Sequence, residues 1–190
     1  VEIAPIPGND LKSPEFLKLN PLGKTPCLEI DGSVLPESEI INEYFEDKFP
    51  TPPLLPKGPE ARAHIRIFTR FNDLYLDPPM RALFRQMNAK PRKENEVNEQ
   101  LTDLNTRLDQ LEKMLSDGGF AAGPEFTLAD CALAPTMFFI TNMLGAFNAK
   151  PALEGRPKIG AWWVRVQTRP SVKKVLGEMS EALKALQAKV

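Results

Sequence analysis

The chain has little of what disulfide, metal or histidine-based chemistry requires. Its 190 residues contain two cysteines, Cys27 and Cys131, and one histidine, His64. The cysteines lie far apart and form no CxxC pair, which predicts free thiols in a reducing cytoplasm and no metal site. His64 lies in a charged helical segment, where a solvated surface side chain is favoured over a catalytic base.

An excess of charge of either sign is also missing. Lys and Arg together number 24 against 25 Asp and Glu, so the chain lacks the basic surplus that nucleic-acid binding requires. We expect no apolar run long enough to span a bilayer, and the first ten residues do not resemble a secretory leader. With 42% hydrophobic and 26% charged residues, the composition predicts a soluble globular protein whose partners are neither nucleic acid nor membrane.

Proline, in contrast, is abundant and unevenly spread. There are 19 prolines in the chain, and five of them fall within residues 50–59. Because proline removes a backbone donor and fixes φ, this stretch favours neither a helix nor a central strand. We therefore predict a first domain over residues 1–49, a stiff linker over 50–58 and a second domain over 59–190.

The first domain has a mixed pattern. Ser13 and Pro14 are typical of the start of a short helix, and residues 27–30 alternate as a strand. Asp31-Gly32 is a strong hairpin-turn signal before a partner strand, and a helix is predicted to begin around Glu37 and Ser38. Strands and helices within so short a segment indicate a small α/β unit.

The second domain has helical patterns throughout. A long helix is predicted over residues 61–87, and leucines spaced four and three residues apart indicate another between 97 and 115. Thr127 and Asp130 have the spacing of a capping box at the start of a third helix. A tryptophan-rich helix around 161–164 and a last helix ending near 186 complete an all-helical prediction.

The triplet Gly23-Lys24-Thr25 resembles the end of a phosphate-binding loop. That loop needs a glycine five residues before Gly23, but the chain has Lys18 there. It also needs a strand before it and a helix after it, whereas here a helix precedes and a strand follows. The phosphate-loop interpretation therefore fails.

A loop that enters a strand through Thr25-Pro26 suggests a different ligand. A cis bond before Pro26 would expose the backbone of Thr25, with which an extended peptide could pair as an added strand. Lys24 could neutralise a carboxylate, and the helix start at Glu37 and Ser38 could bind a second carboxylate and an ammonium group. Each feature also has an ordinary explanation: a solvated lysine, a trans turn and a plain helix start. Taken together in this order, they predict a small peptide with a carboxylate at each end.

These residues resemble the cytosolic glutathione transferases. The pattern N-P-L-G-K-x-P, a strand, D-G, a strand and then P-E-S resembles the thioredoxin-like domain of that family. Farther along, Phe126-Thr127-Leu128-Ala129-Asp130 and Arg169-Pro170-Ser171-Val172 resemble its helical domain. The resemblance covers nearly the whole chain and is nearest to theta-like or bacterial-type members. It implies an α+β fold, with a thioredoxin-like α/β N-terminal domain, incomplete at its N-terminus, followed by an all-α helical bundle.

The resemblance also implies roles for particular residues. Thr25, beside a cis Pro26, would pair its backbone with the cysteinyl part of glutathione, and Lys24 would lie near the glycyl carboxylate. Glu37 and Ser38 would hold the γ-glutamyl end. A small hydrophobic electrophile would be the second substrate, and its wall is predicted to include Phe71, Asn72 and Tyr75, although Phe71 could equally be a core residue.

One departure concerns catalysis. The family begins with a strand and a helix that carry the Tyr, Ser or Cys beside the glutathione sulfur, whereas this sequence starts at what resembles the second strand, Val1-Glu2-Ile3. From typical element lengths, such a strand and helix would add about 20–30 residues. We expect that they precede this sequence, the alternative being a derived form with damaged activity, and the catalytic residue is unassigned. The resemblance implies a homodimeric enzyme that conjugates glutathione and needs no metal. The alternative is a non-catalytic, transferase-like binding or interaction module.

Overall fold

The computed structural model describes residues 1–187. Two compact units make up the chain, the first spanning Val1–Leu54 and the second beginning at Leu55. The strands found in the described residues belong to the first unit, and the regular elements of the second unit are helices.

The first unit is built around one β-hairpin. Strand β1 (Cys27–Ile30) pairs antiparallel with β2 (Ser33–Pro36). Asp31 and Gly32 have φ values of 49° and 80° at the turn between them, as a tight two-residue hairpin requires. The predicted strands and turn are therefore confirmed.

Two helices accompany the hairpin. Helix α1 (Pro14–Leu19) begins at Ser13, whose hydroxyl accepts a hydrogen bond from the Phe16 amide at 3.1 Å. Helix α2 (Ser38–Lys48) begins directly after β2. Both helix starts agree with the sequence-based prediction.

The predicted strand at Val1-Glu2-Ile3 is wrong. Residues 1–6 have no regular secondary structure, and Val1 and Ile3 are 100% and 95% exposed. A strand is held by its ladder of hydrogen bonds to a neighbour, and this segment pairs with neither β1 nor β2. The resemblance to the family's second strand was therefore not sufficient to predict a strand here.

The long helix predicted for residues 61–87 consists of three parts. Helix α3 (Pro59–Phe71) continues into a π-helical turn (Asn72–Leu76) and then into α4 (Asp77–Gln86). The Asp77 amide bonds to the Asn72 carbonyl, five residues back. Pro78 and Pro79 follow at once and have no amide hydrogen to donate, which explains why the α-helical ladder is interrupted here.

Four further α-helices are found in the described part of the second unit, besides a short 3-10 turn at Leu144–Phe147. They are α5 (Glu94–Met114), α6 (Leu128–Met143), α7 (Pro157–Val166) and α8 (Pro170–Gln187). Helix α6 is central, since it packs against α3, α4, α7 and α8. The core between the helices consists of fully buried apolar side chains, among them Phe68, Leu83, Leu104, Leu108, Leu111, Leu133, Met137 and Ile140.

The expectation that no apolar stretch is long enough to cross a bilayer is wrong, because one stretch has the required length and composition. Residues Leu128–Phe147 form a 20-residue stretch with a mean hydropathy of 1.3. However, 67% of it is buried inside the protein, so these side chains face other helices, as in the core helix of a soluble protein.

One buried carboxylate ties the start of α6 to its surroundings. Asp130 is 0% exposed. Its Oδ1 accepts hydrogen bonds from the Ala121 amide and the Trp162 indole, both at 2.8 Å, and its Oδ2 accepts from the amide and hydroxyl of Thr127. The predicted Thr127–Asp130 capping box is present. Burial raises the pKa of Asp130 above its ordinary value of 3.8, and the donated hydrogen bonds oppose that shift.

Candidate functional site

The loop between α1 and β1 delivers three of the predicted ligand-binding residues. It makes a turn in which the Gly23 amide donates to the Asn20 carbonyl at 2.9 Å, and Gly23 has a φ of 57°. The Thr25-Pro26 peptide bond that follows is cis, as the resemblance implied. Lys24, Thr25 and Pro26 are all exposed, so a ligand can reach them.

Hairpin register brings this loop to the second predicted segment. Cys27 is paired with Pro36, so Pro26, one residue before β1, and Glu37, one residue after β2, flank the same end of the hairpin. This is the open end, opposite the Asp31-Gly32 turn. Lys24, Thr25, Pro26, Glu37 and Ser38, which were predicted from separate stretches of sequence, therefore converge at one place.

Helix α2 supplies hydrogen-bond donors at that end. The first amides of a helix have no partner within it and favour anions, and no side chain caps α2. Ser38 is the first helical residue, and both Glu37 and Ser38 are exposed. The arrangement offers amide and hydroxyl donors to a carboxylate, with an acidic side chain beside them for an ammonium group.

Glu37 has an unusual backbone for a residue with a side chain. Its φ is 71° and its ψ is 119°, a region that non-glycine residues rarely occupy. It is the residue that joins the end of β2 to the start of α2. Strained conformations of this kind are concentrated at binding and catalytic sites.

The three residues predicted for the second substrate lie on one helical segment and differ in exposure. Phe71 is buried, at 7% exposure, whereas Tyr75 is 44% exposed. Their ring centroids are 5.4 Å apart, and the Arg107 guanidinium lies 5.3 Å from the Tyr75 centroid. Asn72 is also 7% exposed, and its Oδ1 has no hydrogen-bond partner among the described residues. Of the three, Tyr75 is therefore the one that presents an aromatic surface to solvent.

A cavity in the second unit lies elsewhere on the helical fold. It has a volume of about 540 Å³ and is bordered by α6, α7 and α8. None of the predicted substrate residues lines it; its walls include Phe138, Asn142, Trp163, Gln167, Lys173 and Leu176.

Two residues outside the predicted site hold this loop by side-chain hydrogen bonds. Asn20 is 1% exposed, and its Nδ2 donates to the Lys24 carbonyl at 2.7 Å. Lys12 donates through Nζ to the Gly23 carbonyl at 3.3 Å. The asparagine is part of the N-P-L-G-K-x-P pattern, but the pattern does not say that its side chain bonds four residues ahead.

Comparisons with known proteins agree with the fold and with the pattern. The family model for the glutathione S-transferase N-terminal domain matches residues 1–53, and that for the C-terminal domain matches residues 71–170. Glutathione S-transferase 3 of Zea mays is 31% identical over 178 residues, which cover 87% of this chain and 76% of the maize protein.

Solved structures show the same likeness. Glutathione transferase F2 from Populus trichocarpa has a TM-score of 0.79 at 27% identity, covering 95% of this chain and 87% of that chain. A glutathione S-transferase from Methylobacterium radiotolerans, in complex with glutathione sulfonate, has a TM-score of 0.67 at 26% identity, covering 83% and 74%. The predicted fold class is confirmed, whereas a theta-like class is not. The chain belongs to the glutathione S-transferase family.

Proposed function

We propose that this protein binds glutathione at the open end of the hairpin and conjugates its thiol to a small hydrophobic electrophile. The observation that carries the proposal is the Cys27–Pro36 register. It brings the Lys24-Thr25-Pro26 segment and the Glu37-Ser38 segment to the same end of one hairpin. A tripeptide with a carboxylate at each end needs two such binding segments, held a fixed distance apart.

Each segment matches one part of the ligand. The backbone of Thr25 pairs with the cysteinyl residue as an added strand, and Lys24 attracts the glycyl carboxylate. At the other segment, Ser38 and the first amides of α2 bind the γ-glutamyl carboxylate, while Glu37 pairs with the adjacent ammonium group. The Methylobacterium relative, crystallised with glutathione sulfonate, supports this choice of tripeptide.

The reaction needs the thiolate of the bound glutathione. A cysteine thiol has a pKa of about 8.5, so it first loses its proton to solvent or to a base. The thiolate then forms a C–S bond with the electrophilic carbon, which either releases a leaving group with its bonding pair or shifts a π-bond pair to an adjacent atom that takes up a proton. A hydrogen-bond donor to the sulfur would lower the pKa. No residue is assigned as that donor. The residues at the open end of the hairpin are proposed to bind the tripeptide.

Exposed apolar side chains of the second unit are proposed to bind the electrophile and a second copy of the chain. The exposed ring of Tyr75, stacked on Phe71, offers an apolar surface, with Asn72 on the same helical segment. Ile67 and Leu74 are 55% and 52% exposed, which supports a homodimer in which a second copy covers these two side chains. Cytoplasmic localisation, which the two free cysteines support, stays a prediction.

Calorimetric titration of glutathione into the protein tests the proposal. We expect saturable binding to the wild type, weakened between about twofold and tenfold in Lys24→Met because one exposed charge pair is lost. Lys18→Met is the matched control, since Lys18 is an exposed lysine of α1, and it should bind like the wild type.

An absence of heat at millimolar glutathione would contradict the binding site. Steady-state conjugation assays with several electrophiles then separate an enzyme from the alternative, a non-catalytic binding module. Binding without turnover of any electrophile favours the module.

A further inference from the structure

We propose that Asn20 is the positioning residue of the glutathione site, because it orients the peptide unit that presents the Thr25 backbone to the tripeptide. The inference rests on the proposed function and deepens it. Asn20 itself is 1% exposed and therefore does not touch the ligand, so it acts through the loop that it holds.

Three of the four hydrogen bonds that Asn20 makes with described residues close the same loop, and the fourth ends helix α1. Its Nδ2 donates to the Lys24 carbonyl at 2.7 Å, and its Oδ1 accepts from the Leu22 amide at 3.1 Å. Its backbone amide donates to Phe16 and its carbonyl accepts from Gly23. Burying an amide side chain is costly unless it is hydrogen-bonded, and here both ends of the carboxamide have partners in the loop.

Planarity of the peptide bond turns this contact into a constraint on Thr25. The Lys24 carbonyl and the Thr25 amide belong to one peptide unit, in which C=O and N–H of a trans bond point in opposite directions. Since Asn20 draws the Lys24 oxygen toward the inside of the loop, the Thr25 N–H faces away from it. No described residue accepts a hydrogen bond from that amide, so it is free for an incoming carbonyl of the ligand.

The preceding peptide unit is held as well. Lys12 Nζ donates to the Gly23 carbonyl at 3.3 Å. Gly23 is closely surrounded: an added Cβ would lie 2.7 Å from Lys12 Nζ and 3.0 Å from the Leu11 carbonyl oxygen. Two consecutive peptide units before Thr25 are thus fixed by side chains outside the ligand-binding segment, as a preorganised site requires.

The test compares two substitutions by calorimetric titration of glutathione. Asn20→Asp keeps the shape and the acceptor for Leu22 but points a second oxygen at the Lys24 carbonyl. Asn20→Leu is of similar size and uncharged, and it loses both contacts. We expect both to raise the glutathione Kd about tenfold, which is the effect of losing one buried hydrogen bond. The fitted stoichiometry should stay near the wild-type value.

The stoichiometry separates positioning from folding. A merely structural asparagine would lower the fraction of competent protein, and hence the stoichiometry, at an unchanged Kd. Asn9→Asp is the matched control, because it adds the same charge at an exposed position of the first unit and should leave both values unchanged.

Two results would overturn the inference in distinguishable ways. If the wild type, Asn20→Asp and Asn20→Leu bind glutathione with equal Kd, the site stands and Asn20 has no positioning role. If the wild type itself binds no glutathione, the proposed function fails and this inference fails with it.

Discussion

At the scale of single residues, the backbone of Glu37 is the most constrained feature of the site. A residue with a side chain at a φ of 71° and a ψ of 119° has a conformational cost of about 1–3 kcal/mol. If the residue has a function, its side chain must therefore make an interaction that offsets this conformational free energy. In the proposed site, its carboxylate pairs with the ligand's ammonium group.

Replacing Glu37 by glycine separates the two effects. Glycine tolerates positive φ but loses more chain entropy on folding, by roughly 0.5–1 kcal/mol. We therefore expect Glu37→Gly to leave the free energy of unfolding, measured in urea, unchanged or higher, while glutathione affinity falls about tenfold with the lost charge pair.

The companion variant is Glu37→Gln, which keeps the strained backbone and removes only the charge. It should lose affinity without any gain in stability. A Glu37→Gly protein that is less stable than Glu37→Gln would show that the backbone at this position is not strained.

At the scale of helices and strands, Asp130 connects three segments of the second unit: the loop at Ala121, the cap of α6 at Thr127, and α7 through Trp162. Burial raises the pKa of Asp130 above 3.8, so the folded protein keeps the proton at pH values where the unfolded chain has lost it. As the pH rises from 3.8 through the raised pKa, the contribution of this group to the free energy of unfolding falls, and above that pKa it is constant.

The variant Asp130→Asn should therefore have a pH-dependent cost. Its amide nitrogen would face a backbone or indole donor, which we expect to lower the free energy of unfolding by about 2–4 kcal/mol. The difference from the wild type, measured in urea between pH 4 and neutrality, should be largest at the acid end. Glu125→Gln, an exposed carboxylate in the preceding loop, is the control and should show no such trend. A difference that grows with pH would contradict the raised pKa.

A structural feature could be predicted from the sequence when the residues that cause it lie close together in the chain. The Asp31-Gly32 turn, the Ser13 cap and the Thr127–Asp130 box are each specified within a few residues, and the structure confirms all three. The strand at Val1-Glu2-Ile3 was wrong because a strand requires a partner. The π turn before Pro78 was missed because helical periodicity does not record missing amide donors.

Prediction of the candidate site was limited in the same way. The sequence pattern pointed to Lys24, Thr25, Pro26, Glu37 and Ser38, but their convergence depends on the hairpin register, which spacing alone does not establish. The contact from Asn20 to the Lys24 carbonyl spans only four residues, but it forms only where the chain turns back at Gly23. It could not be predicted, because a buried asparagine has many possible backbone partners.

At the scale of the whole molecule, the exposed apolar side chains of α3 and the π turn predict self-association. Ile67 and Leu74 belong to this segment and are 55% and 52% exposed. Light scattering after size-exclusion chromatography should give twice the monomer mass of 21.2 kDa at micromolar concentration. Leu74→Glu should reduce it to the monomer, because a buried interfacial charge without a partner is costly.

The matched control for this surface is Val164→Glu, since Val164 is a 68% exposed residue of α7. It should leave the mass unchanged. A wild-type protein that is monomeric under these conditions, or a Leu74→Glu protein that stays at twice the monomer mass, would contradict the proposed interface.

The hairpin unit is stabilised by the ligand that it is proposed to bind. Within residues 1–54, the buried apolar side chains are Phe16 and Ile41, and segments with few buried contacts open most readily. A ligand that binds only the closed form suppresses opening, by about 2.7 kcal/mol at a hundred times its Kd. Under the proposed function, glutathione is therefore both a substrate of the protein and a ligand that stabilises its fold. We therefore expect proteases to cut the hairpin unit faster when the glutathione concentration falls below its Kd.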